Sequence, residues 1–257
     1  DLVFVQDTTG PLTIRQFQTS DFARLADPQK TALFIDHAAP SPSKELAADH
    51  LLLRSFARQT GCHIFDTGEG VCHQIVAESL AKPGDVIVGA DSHTVTAGGL
   101  GAFATGMGSS DIAIACGLGK TWLRIPESIK ITVSGEFPKG VYAKDLILRL
   151  IGQIGADGAT YKALEFDGEA VDSMSVSGRL TIANMAVEAG AKVGLFAFDK
   201  TTRDYLVSQG RGDDYQPVFP DADAAYEQTI NMDVAELEPT VARPHTVDNT
   251  ALVKELK

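Results

Sequence analysis

Residues 85–111 read DVIVGADSHTVTAGGLGAFATGMGSSD. The run opens with an apolar, Val- and Ile-rich stretch of strand length, residues 85–90, and stops at Asp91-Ser92-His93. Similar short apolar runs recur along the chain between longer helical patterns, the habit of β-α units that build a mainly parallel sheet. The fold class is therefore α/β. Strands are expected near residues 2–6, 32–36, 63–65 and 85–90. A helix is expected over 43–60, with Leu46, Leu53 and Phe56 on one face, and another over 71–80.

Each of these strands ends in polar residues: Gln6-Asp7, Asp36-His37, Asp66 and Asp91-Ser92-His93. Open α/β sheets place ligands at the carboxyl ends of their strands, so these residues are the first candidates for chemistry. A compositional break at 124–127 separates this pattern from a second one. There, strands are expected at 128–133, 162–166 and 192–198, and helices at 143–155, 179–189 and 200–209. Residues 216–223 read as a surface loop, and the tail from Glu238, with Pro239 and Pro244, as a linker leading onward. The expected organisation is two three-layer domains, 1–126 and 127–240, with 241–257 as linker.

Bulk properties narrow the partners. A net charge of -12, with no Lys/Arg cluster to offset it, opposes phosphate backbones and anionic membranes. No stretch approaches the ~18 apolar residues of a membrane span. The N-terminus lacks a signal-type apolar core, begins at Asp1 and reads as trimmed, and a cytoplasmic setting is expected. Three sparse cysteines, Cys62, Cys72 and Cys116, form no C-x-x-C pair and read as reduced, buried thiols.

GLGAFA within the opening stretch has the spacing of a dinucleotide loop. Such a loop needs its first glycine in the turn directly after the strand, and here Asp91 to Gly98 intervene. The glycines instead allow close backbone approach to a ligand or neighbouring element, and a packed turn followed by a small-residue helix answers the spacing almost as well. Asp91-Ser92-His93 cannot form a hydrolase triad, because adjacent residues do not converge and no G-x-S-x-G elbow is present. As proton-handling side chains at a strand end they suit a functional role better than a purely structural loop.

The remaining candidates are weaker taken singly. Asp36-His37 alone suits a capping Asp beside a satisfied His. His73, at the predicted start of the 71–80 helix, more often belongs to core or surface. Asn184 and Glu188 stand at i and i+4, opposite the apolar Ile182, Met185, Ala186 and Ala189, and a solvated polar face answers that spacing too. Gln6-Asp7 carries the same ambiguity. Zinc on Cys62-His63 with Cys72-His73 is discounted, since Cys62 and His63 on one strand point to opposite faces.

The joint pattern resembles the aconitase superfamily, in particular the large subunits of 3-isopropylmalate dehydratases and homoaconitases. It is carried by VQDTTGP, IDH, GEGVCHQI and the 89–111 run in the first half. WLRIPESIK, YAKDLILRLIG, DGATYKALEFDGEAV, TIANMAVEAGAK and VARPHTVDN carry it in the second. The resemblance implies aconitase-like domains 1 and 2. It implies reversible dehydration of a hydroxy di- or tricarboxylic acid at a [4Fe-4S] cluster, 3-isopropylmalate being favoured, in leucine biosynthesis. Asp36 and His37 match the family's imidazole and its orienting carboxylate. Asp91, His93 and Glu188 match contacts to the iron-bound water or hydroxyl, and His73 another active-site imidazole. Gln6 and Ser92 match substrate-carboxylate contacts, and Asn184 a residue beside the cluster.

The family's cluster-binding cysteines, in Cys-Thr-Asn and C-x-x-C motifs, are not in this sequence. The chain is thus expected to be the first two domains of a large subunit, with no metal of its own, inactive and colourless in isolation. Its partner would be the small, swivelling subunit that carries a serine base and arginines for the substrate. A homoaconitase, a non-catalytic assembly module of the same fold and, well below both, a nicotinamide-dependent oxidoreductase are the other readings.

Overall fold

The computed structural model describes residues 1–256, which divide into two compact units built from interleaved segments. The first takes Asp1–Ala81, Asp85–Thr94 and Thr105–Arg124; the second takes Lys82–Gly84, Val95–Ala104 and the chain from Ile125 on. Among the described residues no helix is long and apolar enough to cross a membrane.

In chain order the first unit holds β1 (Leu2–Gln6), α1 (Gly10–Thr19), β2 (Thr31–Phe34), α2 (Lys44–Thr60), β3 (His63–Phe65) and α3 (Cys72–Ile75). A π-helical turn, Val76–Leu80, prolongs α3 before β4 (Val86–Gly89), and β5 (Phe103–Gly106), whose first two residues count with the second unit, and α4 (Ser109–Leu118) follow. The sheet runs β3-β2-β1-β4-β5, with β1 central and parallel to both β2 and β4. Phe4 and Val5 on β1 are buried, and Ile14 and Phe17 of α1, Leu53 and Phe56 of α2 and Ile112 of α4 complete the core. Helix α2 begins where the Ser43 hydroxyl accepts the Leu46 N–H, and ends at Gly61, whose φ of 77° suits a residue without Cβ.

The second unit holds β6 (Ser128–Ser134), α5 (Ala143–Ile154), β7 (Ala163–Asp167), α6 (Glu169–Asp172), α7 (Val176–Met185), β8 (Val193–Phe196) and α8 (Lys200–Ser208). Then come β9 (Gln228–Asp233), β10 (Thr240–Ala242) and β11 (Thr250–Leu252). Its parallel sheet runs β8-β7-β6-β9, packing Ile129, Ile131 and Val133 against Leu146, Leu150 and Ile151 of α5 and Ile182 and Ala186. Two features depart from the sequence expectation. Residues 241–257, read as linker, carry the antiparallel β10–β11 pair, and the Thr240 N–H is taken by the buried Asp145 carboxylate at 2.7 Å. Strands of three residues leave no periodicity to detect. The helix expected over 179–189 ends at Met185 and tightens into a 3₁₀ turn, Ala186–Ala189.

The 85–111 stretch resolves into strand β4, a long 3₁₀ run Ser92–Leu100, β5 and α4. Its glycines meet protein. A Cβ on Gly98 would overlap the Gly194 carbonyl, one on Gly99 would sit 2.8 Å from the Leu180 nitrogen, and one on Gly101 would enter the Phe198 ring. The packed-turn reading therefore accounts for all three.

Candidate active site

Because β2, β1 and β4 lie side by side and parallel, their carboxyl ends deliver Gln6, Asp36-His37 and Asp91-Ser92-His93 to one edge of the first unit. The connection after β3 returns through a glycine-rich turn to α3, whose first two residues, Cys72 and His73, join them.

Asp91 is the centre of the group. His73 Nε2 lies 3.2 Å from its Oδ1 and His37 Nε2 3.4 Å from its Oδ2. The Gln6 amide donates to Oδ2 at 3.3 Å and the His93 backbone N–H to Oδ1 at 2.7 Å. Burial pushes this carboxyl up, but the His73 bond and charge, the His93 N–H and Gln6 outweigh it and hold Asp91 well below the usual carboxylate range. The rings of His37 and His93 stand edge-on to His73, with centroids 6.2 and 6.1 Å away. Ser92 Oγ is 3.3 Å from His93 Nδ1.

His37 is fixed from its other side. Asp36, almost wholly buried, holds its Oδ1 2.9 Å from His37 Nδ1, while Oδ2 accepts the Cys72 N–H at 2.6 Å. With Asp36 as acceptor, Nδ1 carries the hydrogen, and Nε2 is the atom free to exchange a proton beside Asp91. A third of the His37 side chain remains open to solvent. The arrangement is a proton-exchanging imidazole between an orienting carboxylate and an anion.

The structure thus brings Gln6, Asp36, His37, His73, Asp91, Ser92 and His93 together. Asn184 and Glu188 belong to the second unit. Asn184 donates to Thr96 Oγ1 at 2.8 Å there. Their expected common helical face is altered, because Glu188 lies in the 3₁₀ turn, where each residue advances about 120° rather than 100°. Sequence reasoning left Asp7 ambiguous and passed over His50. Asp7 stood beside Gln6 at the end of β1 with the same ambiguity, and nothing in the pattern linked it to a histidine on α2.

An iron–sulfur cluster requires thiolate ligands. All three cysteines are buried as free thiols. Burial raises Cys62 and pushes Cys116 up to about 12, with Cys62 adding to the latter, and both lie in the first unit's apolar core. Cys72 has its Sγ near ligand atoms of Asp36 and His37, but burial and then the Asp36 charge raise its pKa steeply. These donors do not fit a cluster. A second group, His37, His73 and Asp91, has ligand atoms within 4.8 Å of one another and offers nitrogen and oxygen only.

Compared with known proteins, residues 1–257 match the aconitase family (aconitate hydratase) throughout. The chain belongs to the aconitase family. Among curated members it is 58% identical over 257 residues to a 3-isopropylmalate dehydratase large subunit from Elusimicrobium minutum. It is 53% identical over 258 residues to large subunit 2 from Archaeoglobus fulgidus, and 52% over 257 to large subunit 1 from Thermotoga maritima. Each alignment covers 100% of this aconitase-family chain, which spans 61–62% of the length of these relatives. The α/β architecture with parallel sheets agrees with that membership.

Proposed function

We propose that this chain supplies the proton-handling residues of a hydro-lyase that reversibly dehydrates a hydroxy di- or tricarboxylic acid, with 3-isopropylmalate as the favoured substrate. The observation that carries the reading is the line Asp36–His37–Asp91, with 2.9 Å at Nδ1 and 3.4 Å at Nε2. The names and high identity of the curated relatives support the substrate class.

Hydroxide is a poor leaving group near neutral pH and needs a proton as it departs. His37 Nε2 delivers that proton, and Asp36 orients the ring and stabilises it while charged. Asp91 and His93 bind the departing water. Gln6 and Ser92 contact a substrate carboxylate. In the whole protein a small subunit completes the site, and the setting is cytoplasmic leucine biosynthesis. Aconitase-family enzymes generally carry an iron–sulfur cluster. A [4Fe-4S] cluster is held by residues other than Cys62, Cys72 and Cys116.

The test uses the whole large subunit with its small subunit. Alkene formation is followed with 3-isopropylmalate, homocitrate, citramalate and citrate. We expect 3-isopropylmalate to give the highest kcat/KM, and His37→Asn to lower kcat by about 10²–10⁴-fold. A preference for homocitrate would move the assignment to a homoaconitase. Wild-type turnover in His37→Asn would overturn the acid role.

A further inference from the structure

The two residues that close β1 reach the site by different routes. Gln6 sends its amide to Asp91, whereas Asp7, wholly buried, grips the chain that follows β2. Asp7 Oδ1 accepts the His37 N–H at 2.9 Å, and Oδ2 accepts the Ala38 N–H at 2.9 Å. His50, buried on α2, places Nε2 3.0 Å from the same Oδ2. A carboxylate holding two consecutive N–H groups fixes the peptide planes on either side of His37, and so the direction of its Cα–Cβ bond. His50 in turn fixes the carboxylate from the helix side.

Such a grip is not needed to close a surface loop, which ordinarily tolerates movement. It matters for His37, whose ring must meet Asp36 and Asp91 through opposite nitrogens at once. Neither Asp7 nor His50 is exposed enough to touch a substrate.

We propose that Asp7, braced by His50, is a positioning residue that holds the His37 imidazole in register between Asp36 and Asp91. The inference rests on the reading of His37 as the proton donor. Losing the clamp lets the ring drift, and a displacement near 1 Å is enough to cost about 100-fold in rate.

Three variants of the whole two-subunit enzyme test it. Asp7→Asn removes one acceptor oxygen, His50→Leu removes the brace, and His50→Gln keeps an N–H donor near the Nε2 position. Asp7→Asn and His50→Leu should lower kcat by about 10–100-fold, change KM little and displace the pH profile, while His50→Gln stays close to wild type. ¹⁵N-histidine spectra of the same proteins report the ring independently of turnover. The His37 Nδ1–H should be protected from solvent exchange in wild type and His50→Gln, and exchange rapidly in the other two. If all variants keep the wild-type kcat, pH profile and protection, and only unfold at lower temperature, Asp7 is merely structural and the proposal fails. If wild type dehydrates none of the acids, the functional reading fails instead, and the exchange data alone decide whether the clamp exists.

Discussion

His73 donates from Nε2 toward Asp91 at 3.2 Å while its Nδ1 is buried with no partner. The imidazole therefore has a single polar attachment, made to the residue that gathers the site, and its far side rests edge-on near Phe4, with centroids 6.1 Å apart.

That attachment sets the charge of Asp91. Although burial acts in the opposite direction, His73 is the largest of the influences that hold this carboxyl low. A carboxyl depressed by folding adds stability that is present above its unfolded value of about 3.9 and is lost as pH falls through the folded one. His73→Leu should raise the Asp91 pKa and reduce the stability gained between pH 2 and pH 6. Carboxyl ¹³C titration and urea midpoints across that range measure both. An unmoved Asp91 titration would contradict the assignment.

Asp66 gives a second, milder acid response. The Arg54 guanidinium, bonded through Nε at 2.7 Å and Nη2 at 2.6 Å, lowers it to about 2. Its contribution should persist above pH 4 and vanish between about 4 and 2. The pair is 31% and 41% exposed, so solvent screening keeps the effect small. Arg54→Met should flatten the loss of stability between pH 4 and pH 2, read from unfolding midpoints.

At Gly101 both backbone and space resist a side chain. Its φ is +79°, and an added methyl would enter the Phe198 ring. Gly101→Ala should destabilise the chain by about 2–4 kcal/mol, combining left-handed backbone strain with overpacking. Calorimetric titration with NAD should give no binding heat in wild type, since the glycines of this loop are filled by protein atoms.

The three thiols should be silent. Burial raises the pKa of each of Cys62, Cys72 and Cys116, and the thiolate is the reactive form. The folded 257-residue chain should react negligibly with a disulfide reagent at pH 8, and release three equivalents in denaturant. Rapid labelling of Cys72 in the folded chain would overturn the view of it as a protonated, non-ligating neighbour of Asp36.

Buried parallel strands leave a plain trace in sequence, an apolar run that stops at polar residues, and β1, β2 and β4 were legible for that reason, while the half-buried edge strand β3 was marked by its stop at Asp66. Elements without that contrast were not. Helix α1 opens on Gly10-Pro11, which reads as a turn. Helix α4 is built from small residues with no polar stripe, and β9 alternates mildly along a sheet edge. In the site, strand-end position and resemblance together pointed to Asp36, His37, His73, Asp91 and Ser92-His93. The Asp7–His50 contact joins residues 43 apart in sequence across different elements, and no local period records it. The Asn184–Glu188 pairing rested on helical winding that stops at Met185.

The interleaving of the two units bears on how the chain can be made and divided. The first unit claims Asp85–Thr94 and Thr105–Arg124, but the stretch between them, Val95–Ala104, belongs to the second. Gly98, Gly99 and Gly101 find their packing surfaces only at Gly194, Leu180 and Phe198. During synthesis those glycines leave the ribosome long before their counterparts exist. A gene cut near residue 124 would therefore strand the loop rather than liberate a domain, and dissecting this chain into separately expressed halves calls for the segments of each unit to be rejoined in a new order instead of a single stop codon.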